Sequence, residues 1–240
     1  MRVVIGAEEG NCRFASVRFV YARRSYRPSR AIRRRLRSAL LRGADLLDGR
    51  LFPEAESAME QWQRVAMNEA VDRFLGSLDQ GAMTAAEISG DAHSSRPWRS
   101  YSSLMYPEFD VCAPLIDNER FDVVICEQVL EHVLDPLAAV ANLRELCRPG
   151  GRVIITSPFL IKVHELPMYG MFDYWRFTPR GLQLMLEQAG LEMEESGQWG
   201  NRMCVTGNLS RWSAHRRWHP MRDEPDIPVQ IWAFARRPID

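Results

Sequence analysis

Residues 121–158 read FDVVICEQVLEHVLDPLAAVANLRELCRPGGRVIITSP. Phe121 to Cys126 is an apolar, β-branched run, the composition of a strand buried on both faces. Pro136 to Cys147 carries Leu137, Val140, Ala141, Leu143 and Leu146 at helical spacing. Pro149-Gly150-Gly151 is read as the stop of that helix. Arg152 to Thr156 then opens a second buried strand. Strand, helix, turn and strand in this order make half of a doubly wound α/β sheet. The polar residues Glu127, Gln128, Glu131 and His132 fall just past the carboxyl end of the first strand, where open α/β sheets bind ligands.

Working outward, Thr84–Ser89 and Ser100–Met105 are expected as strands before this unit, with Leu191–Glu195 and Pro228–Ala235 after it. The interval GDAHSSRPWR, residues 90–99, leaves room for a turn or two of helix and no full crossover. Thr178 caps an expected helix to Ala189, with Pro179 at its first position and Gly190 ending it. Residues 208–228 are rich in Trp, Arg and Pro and read as an irregular or helical excursion. The result is an α/β, Rossmann-like, mostly parallel sheet with one antiparallel strand near the C-terminus. Before it, Arg2–Ile5 and Arg18–Tyr21 suit short strands, Ala31–Leu47 a basic amphipathic helix and Glu56–Leu78 a second helix. We expect residues 1–80 to form an N-terminal helical cap on the acceptor side and 81–240 the core.

The hydrophobic share of 46% and charged share of 26% are ordinary for a globular chain of 240 residues. No apolar run approaches the roughly 18–20 residues of a membrane helix. The five cysteines, at 12, 112, 126, 147 and 204, form no close metal-ligand pair, and reduced thiols in the cytoplasm are the simplest reading. A net charge of zero supplies no global field for nucleic acid. The arginine-rich stretch 23–42 could touch phosphates or an anionic membrane surface, or form a solvated helix face. No metal motif is visible. Mg²⁺ would need Asp110, Glu127, Glu165 and Asp173 to meet through folding.

The order FDVV, polar loop, EHV-D-P, helix and R-PGG resembles the second half of the class I S-adenosylmethionine-dependent methyltransferase domain, of the type 11-like kind. The resemblance implies S-adenosyl-L-methionine as cofactor. Glu87-Ile88-Ser89-Gly90-Asp91 stands in place of the family's acidic-x-Gly-x-Gly loop, with Ser89 and Asp91 where glycines are usual. Met105 falls where the family carries the ribose-gripping acid. Asp110, Val111 and Cys112 would lie beside the adenine, and Glu127 and Gln128 under the methionine part, with His132 in the EHV pattern.

Residues 158–181, PFLIKVHELPMYGMFDYWRFTPRG, resemble a subgroup found in polysaccharide, glycolipid and natural-product biosynthesis, apart from the extra residues MYGMF. A sulfonium methyl group is already activated, so an enzyme must align the acceptor and remove its proton. A histidine is the natural base near neutral pH. His164 is the candidate base and Asp173 the group that orients it or binds an acceptor hydroxyl. Tyr169, Tyr174, Trp175 and Arg176 are candidate acceptor contacts, the aromatic faces suiting a sugar ring. The expectation is an O-methyltransferase acting on a saccharide, glycolipid or polysaccharide precursor. A polyketide or aromatic acceptor, and a non-catalytic protein with a degenerate cofactor loop, are the alternatives.

Overall fold

The computed structural model describes residues 40, 43, 60–116, 119–209 and 212–239. The chain divides into compact units 1–54 and 55–240, and the second is described below. The strands expected at 2–5 and 18–21, the arginine-rich stretch 23–42 and the helix at 31–47 lie outside the described residues, apart from the isolated Leu40 and Gly43.

Among the described residues six strands form one sheet: β1 (Thr84–Ile88), β2 (Ser100–Leu104), β3 (Phe121–Glu127), β4 (Cys147–Pro158), β5 (Glu192–Trp199) and β6 (Gln230–Arg236). Their spatial order is β2-β1-β3-β4-β6-β5. The first four pair in parallel, and β6 runs antiparallel to both of its neighbours. This is the Rossmann-like sheet that residues 121–158 imply.

Alternation along β3 explains the layers. Val123 and Ile125 face one side, with Ile154, Phe234 and the helix α1 (Val65–Gly76), whose Ala70, Val71 and Leu75 pack there. Val124 and Cys126 face the other side, against Val140 and Leu143 of α2 (Pro136–Leu146) and Leu182 and Leu186 of α3 (Pro179–Gln188). Each such aliphatic side chain, fully buried, contributes about 1.5–3 kcal/mol. Helix α1, from the expected N-terminal extension 1–80, packs on the sheet and forms one layer of its core, and the compact unit begins at Ala55.

Both crossover helices start as their sequences dictate. Asp135 accepts from Leu137 N and Ala138 N, and Thr178 accepts from Gly181 N at 3.0 Å. The Pro-Gly-Gly turn departs from expectation. Helix α2 ends at Leu146 and β4 begins at Cys147, so Pro149-Gly150-Gly151 forms an irregularity inside the strand. Gly150 takes φ +80°, and its N–H donates to Arg237 O at 2.8 Å while Gly151 O accepts from Arg237 N. Hydrogen bonding to the chain just past β6 therefore extends the sheet across residues that would otherwise be a loop.

Between β1 and β2 the chain makes only turns, held by Trp98 Nε1 donating to His93 O. A short helix, α4 (Arg202–Asn208), is capped by Asn201 Oδ1, which accepts from Cys204 N. It opens the excursion between β5 and β6.

Candidate active site

The carboxyl ends of β1 and β3 lie side by side, because these strands pair in parallel. The backbone bends sharply at each end: Ser89 has φ +51° and Gln128 φ +55°. Non-glycine residues hold this left-handed conformation at a cost of about 1–3 kcal/mol, and such positions cluster at ligand edges.

The β1 side is closed on itself. Glu87 is buried, and its carboxylate accepts from Ala92 N at 3.1 Å, His93 N at 3.0 Å and Tyr101 Oη at 2.6 Å. Burial and the Glu87 carboxylate together push the Tyr101 phenol well above its ordinary value, so it stays protonated and donates. A Cβ on Gly90 would stand 2.4 Å from Glu87 Oε1, so glycine here makes room for that carboxylate. Ser103 Oγ donates to Gly90 O. Glu87 thus shapes the loop from below. Met105 is 47% exposed just past the end of β2. Asp91 is exposed, and Asp110 accepts from Cys112 N and closes a turn. Val111 is buried against the sheet core beside half-buried Cys112.

The β3 side keeps polar atoms unspent. Arg96 Nε, which can only donate, meets His93 Nδ1 at 3.1 Å. The proton of neutral His93 is therefore on Nε2, which donates to Glu127 Oε2 at 3.3 Å. The other oxygen, Glu127 Oε1, is buried without a hydrogen-bond partner. Gln128 turns its amide inward, donating to Thr156 Oγ1 at 3.1 Å and Gln230 Oε1 at 2.9 Å. Its amide nitrogen ties the end of β3 to β4 and β6.

Past the bend, Leu130–His132 form a 3-10 turn. Glu131 is fully buried and burial pushes its carboxyl up to about 7. Its Oε2 accepts from Ser157 Oγ at 3.1 Å, and its Oε1 has no partner. His132 Nδ1 lies 2.7 Å from Phe172 O. A carbonyl only accepts, so Nδ1 carries the proton and Nε2 the lone pair.

The segment after β4 brings His164 to this point. Its ring meets His132 edge to face at 4.8 Å and Trp212 at 5.6 Å. His164 Nδ1 lies 3.0 Å from Asp173 Oδ2 without making a hydrogen bond, and that oxygen accepts from the His164 backbone N at 2.9 Å. The Asp173 side chain is buried and gripped by both terminal nitrogens of Arg176, which also donates to Lys162 O. Burial alone would raise the Asp173 carboxyl, but Arg176 and the His164 amide outweigh it and hold it below the usual range. Burial lowers the His164 imidazole, reinforced by His132 and Arg176 and opposed by Asp173. The ring is thus neutral near pH 7. Glu131, His132 and His164 each offer a donor atom, all within 4.8 Å of one another.

Beside Asp173 opens a cavity of about 350 Å³, lined by Leu160, Ile161, Val163, Trp175, Val205 and Leu209 among others. Tyr174 and Arg176 also border it. Trp175 Nε1 donates to Val133 O, and Tyr174 N donates to Glu131 O, so the aromatic pair is pinned to the EHV turn. Tyr169 sits in the 3-10 turn Pro167–Tyr169.

The sequence reading missed His93 and gave Trp212 no role. His93 lies in a short loop whose shape depends on Glu87, and Trp212 comes from the distant excursion. The three-residue donor set escaped the expectation of no metal site because His164 is far from Glu131 and His132 in sequence.

The chain is similar to known proteins. A sequence profile described as a methyltransferase domain matches residues 53–196. That is more than half of the chain, so the protein belongs to this family, the S-adenosylmethionine-dependent methyltransferases with a Rossmann-like sheet. Among similar proteins is a ubiquinone biosynthesis O-methyltransferase of Cereibacter sphaeroides (strain ATCC 17029 / ATH 2.4.9), 54% identical over 108 residues. The match takes in 39% of this chain and 43% of that protein. The enzyme of the same name from Thiobacillus denitrificans is 37% identical over 92 residues, 32% of this chain and 38% of its own. The chain thus spans less than half the length of these relatives. A solved S-adenosylmethionine-dependent methyltransferase from Mesorhizobium loti is similar over 73% of this chain and 100% of its own, at 12% identity and a TM-score of 0.47.

Proposed function

We propose that this chain transfers a methyl group from S-adenosylmethionine to a phenolic hydroxyl of an amphipathic small molecule, with His164 as general base. The observation that carries the reading is the placement of His164. It stands at the carboxyl edge of the sheet, with Asp173 behind Nδ1 and an apolar cavity adjoining Asp173.

The residues fit the donor. Glu127 Oε1, buried without a partner, suits the ammonium of its methionine part, and Val111 and Cys112 suit a flat apolar ring. The loop 89–91 would approach it with backbone, and Met105, with no carboxylate, would meet its ribose by packing. S-adenosylmethionine supplies a methyl group on a sulfonium that leaves readily. The chain's own work is to place the acceptor and take its proton. The Asp173 charge beside Nδ1 favours a proton on that nitrogen, which leaves Nε2 to accept the hydroxyl proton. Arg176 holds Asp173 ionised, so the imidazolium that forms is stabilised. Because burial lowers the His164 imidazole, it is a weak base, better matched to a phenol near pKa 10 than to a less acidic sugar hydroxyl. The aliphatic lining of the cavity suits an apolar substituent of the acceptor. The name shared by the relatives, ubiquinone biosynthesis O-methyltransferase, supports a phenolic acceptor.

A saccharide or glycolipid acceptor is the second reading, favoured by the 46% and 42% exposure of Tyr174 and Trp175. The test is turnover, read as S-adenosylhomocysteine release, on alkyl-substituted catechols and on sugars with the same tail. Turnover of catechols alone is expected. Turnover of sugars alone would move the assignment to the second reading. A folded sample that binds no S-adenosylhomocysteine in calorimetry would sink both.

A further inference from the structure

Glu131 is a carboxylate with no solvent exposure, and only one of its oxygens has a partner. The unpartnered Oε1 lies 3.9 Å from His132 Nε2. Two imidazoles converge on it, those of His132 and His164. His132 is oriented from behind, its Nδ1 held by the Phe172 carbonyl, and His164 Nδ1 lies 3.0 Å from the Asp173 carboxylate. A carbonyl partner on the rear nitrogen is one of the contacts that fix metal-ligating histidines, and it leaves His132 Nε2 forward.

We propose that Glu131, His132 and His164 form a binding site for a divalent transition cation, Zn²⁺ in the first instance, with an open coordination position for an oxygen of the acceptor. Two imidazoles and one carboxylate suit a borderline cation and not Mg²⁺, which prefers oxygen ligands. Three protein ligands with a vacant position are the arrangement of open, ligand-exchanging zinc sites and not of closed structural ones. Bonds of about 2.0–2.2 Å require donors about 3.3 Å apart. The observed spread of 4.8 Å closes by side-chain rotation of about 1 Å each. Glu131 and His132 come from the turn after β3 and His164 from the segment after β4, so the cation would tie the acceptor loop to the sheet edge.

The inference rests on reading this edge as the acceptor site. With the cation bound, His164 Nε2 is a ligand, so its role as base belongs to the cation-free protein. The full chain, stripped with a chelator, is titrated calorimetrically with ZnCl₂, with MgCl₂ and, separately, with S-adenosylhomocysteine. One Zn²⁺ per chain is expected, with no Mg²⁺ binding at the same concentrations. Affinity should fall at least tenfold in Glu131→Gln and in His164→Gln. The second substitution lies on a partly exposed loop and reports even if the buried Glu131 variant fails to fold. Zn²⁺ binding that is absent, unchanged in His164→Gln, or abolished by Cys112→Ser would overturn the site. If S-adenosylhomocysteine binds and Zn²⁺ does not, only the cation site fails. If Zn²⁺ binds through these residues and S-adenosylhomocysteine does not, the cation site stands and the methyltransferase reading fails.

Discussion

The two halves of the sheet edge treat their buried carboxylates differently. At the end of β1, Glu87 receives two backbone N–H groups and the Tyr101 hydroxyl, and its loop closes over it. At the end of β3, Glu127 and Glu131 each keep one oxygen without a partner. The first half spends its polar groups on shape, whereas the second keeps them available. Burying an unpaired oxygen costs about 1–3 kcal/mol, so it is retained where a ligand would repay it. The difference also explains why the glycine-poor loop of the first half need not mean loss of function. Its backbone is fixed by Glu87, and the unpartnered oxygens lie next door on Glu127 and Glu131.

Substitutions can break this contrast. The largest effect is expected from His164→Ala, which removes the proposed base. Turnover should fall about 10²–10⁴-fold, equivalent to about 3–5 kcal/mol, with S-adenosylhomocysteine affinity unchanged in calorimetry. Unaltered turnover would return His164 to a structural role. Next is Gly90→Ala, which drives a Cβ against Glu87 Oε1. It should destabilise the fold by about 1–3 kcal/mol, read as a lower urea midpoint at constant slope. A midpoint equal to the parent's would show that the loop is not built around that carboxylate.

Glu127→Gln sharpens the other side. It should weaken S-adenosylhomocysteine binding about tenfold, or about 1.4 kcal/mol, with a stability change below that of Gly90→Ala. The smallest effect belongs away from the edge. Burial alone would raise the Asp122 carboxyl, but the Thr84 amide and hydroxyl and Arg148 hold it below its ordinary value. A lowered folded value gives stability that is present above the unfolded pKa and lost as pH falls through the folded one. Asp122→Asn should therefore cost about 1 kcal/mol at pH 7, and the gap in melting temperature should close below about pH 4. A gap that stays constant down to pH 2 would exclude this linkage.

Much of the architecture was legible in the chain. Apolar periodicity marks β3, α2 and α3, and local caps at Thr178 and Asp135 start the helices where neighbouring residues dictate. The same reasoning misplaced the Pro-Gly-Gly turn. Its glycines can end a helix, but pairing with the chain after β6, remote in sequence, draws them into β4. It also left open whether α1 covers the acceptor side or packs on the sheet, because an amphipathic helix does not say which surface it covers. Within the site, His164 and Asp173 could be picked from their residue types and spacing. Their contact with His132 and Trp212, and the inward turn of Gln128, depend on strands brought together by folding.

The sequence by itself determined the sheet, the helices α2 and α3 of one layer and the strand ends at which a ligand is expected, since these follow from periodicity, capping and strand order. Only the tertiary structure decided which polar atoms at that edge are spent and which are kept. The reason is physical. Secondary structure is chosen by contacts a few residues apart, whereas the state of a buried carboxylate or imidazole depends on every donor and acceptor that folding brings within about 3 Å. Glu87 and Glu131 are both acids at or just beyond a strand end, and only their neighbours in space make one a scaffold and the other a candidate ligand.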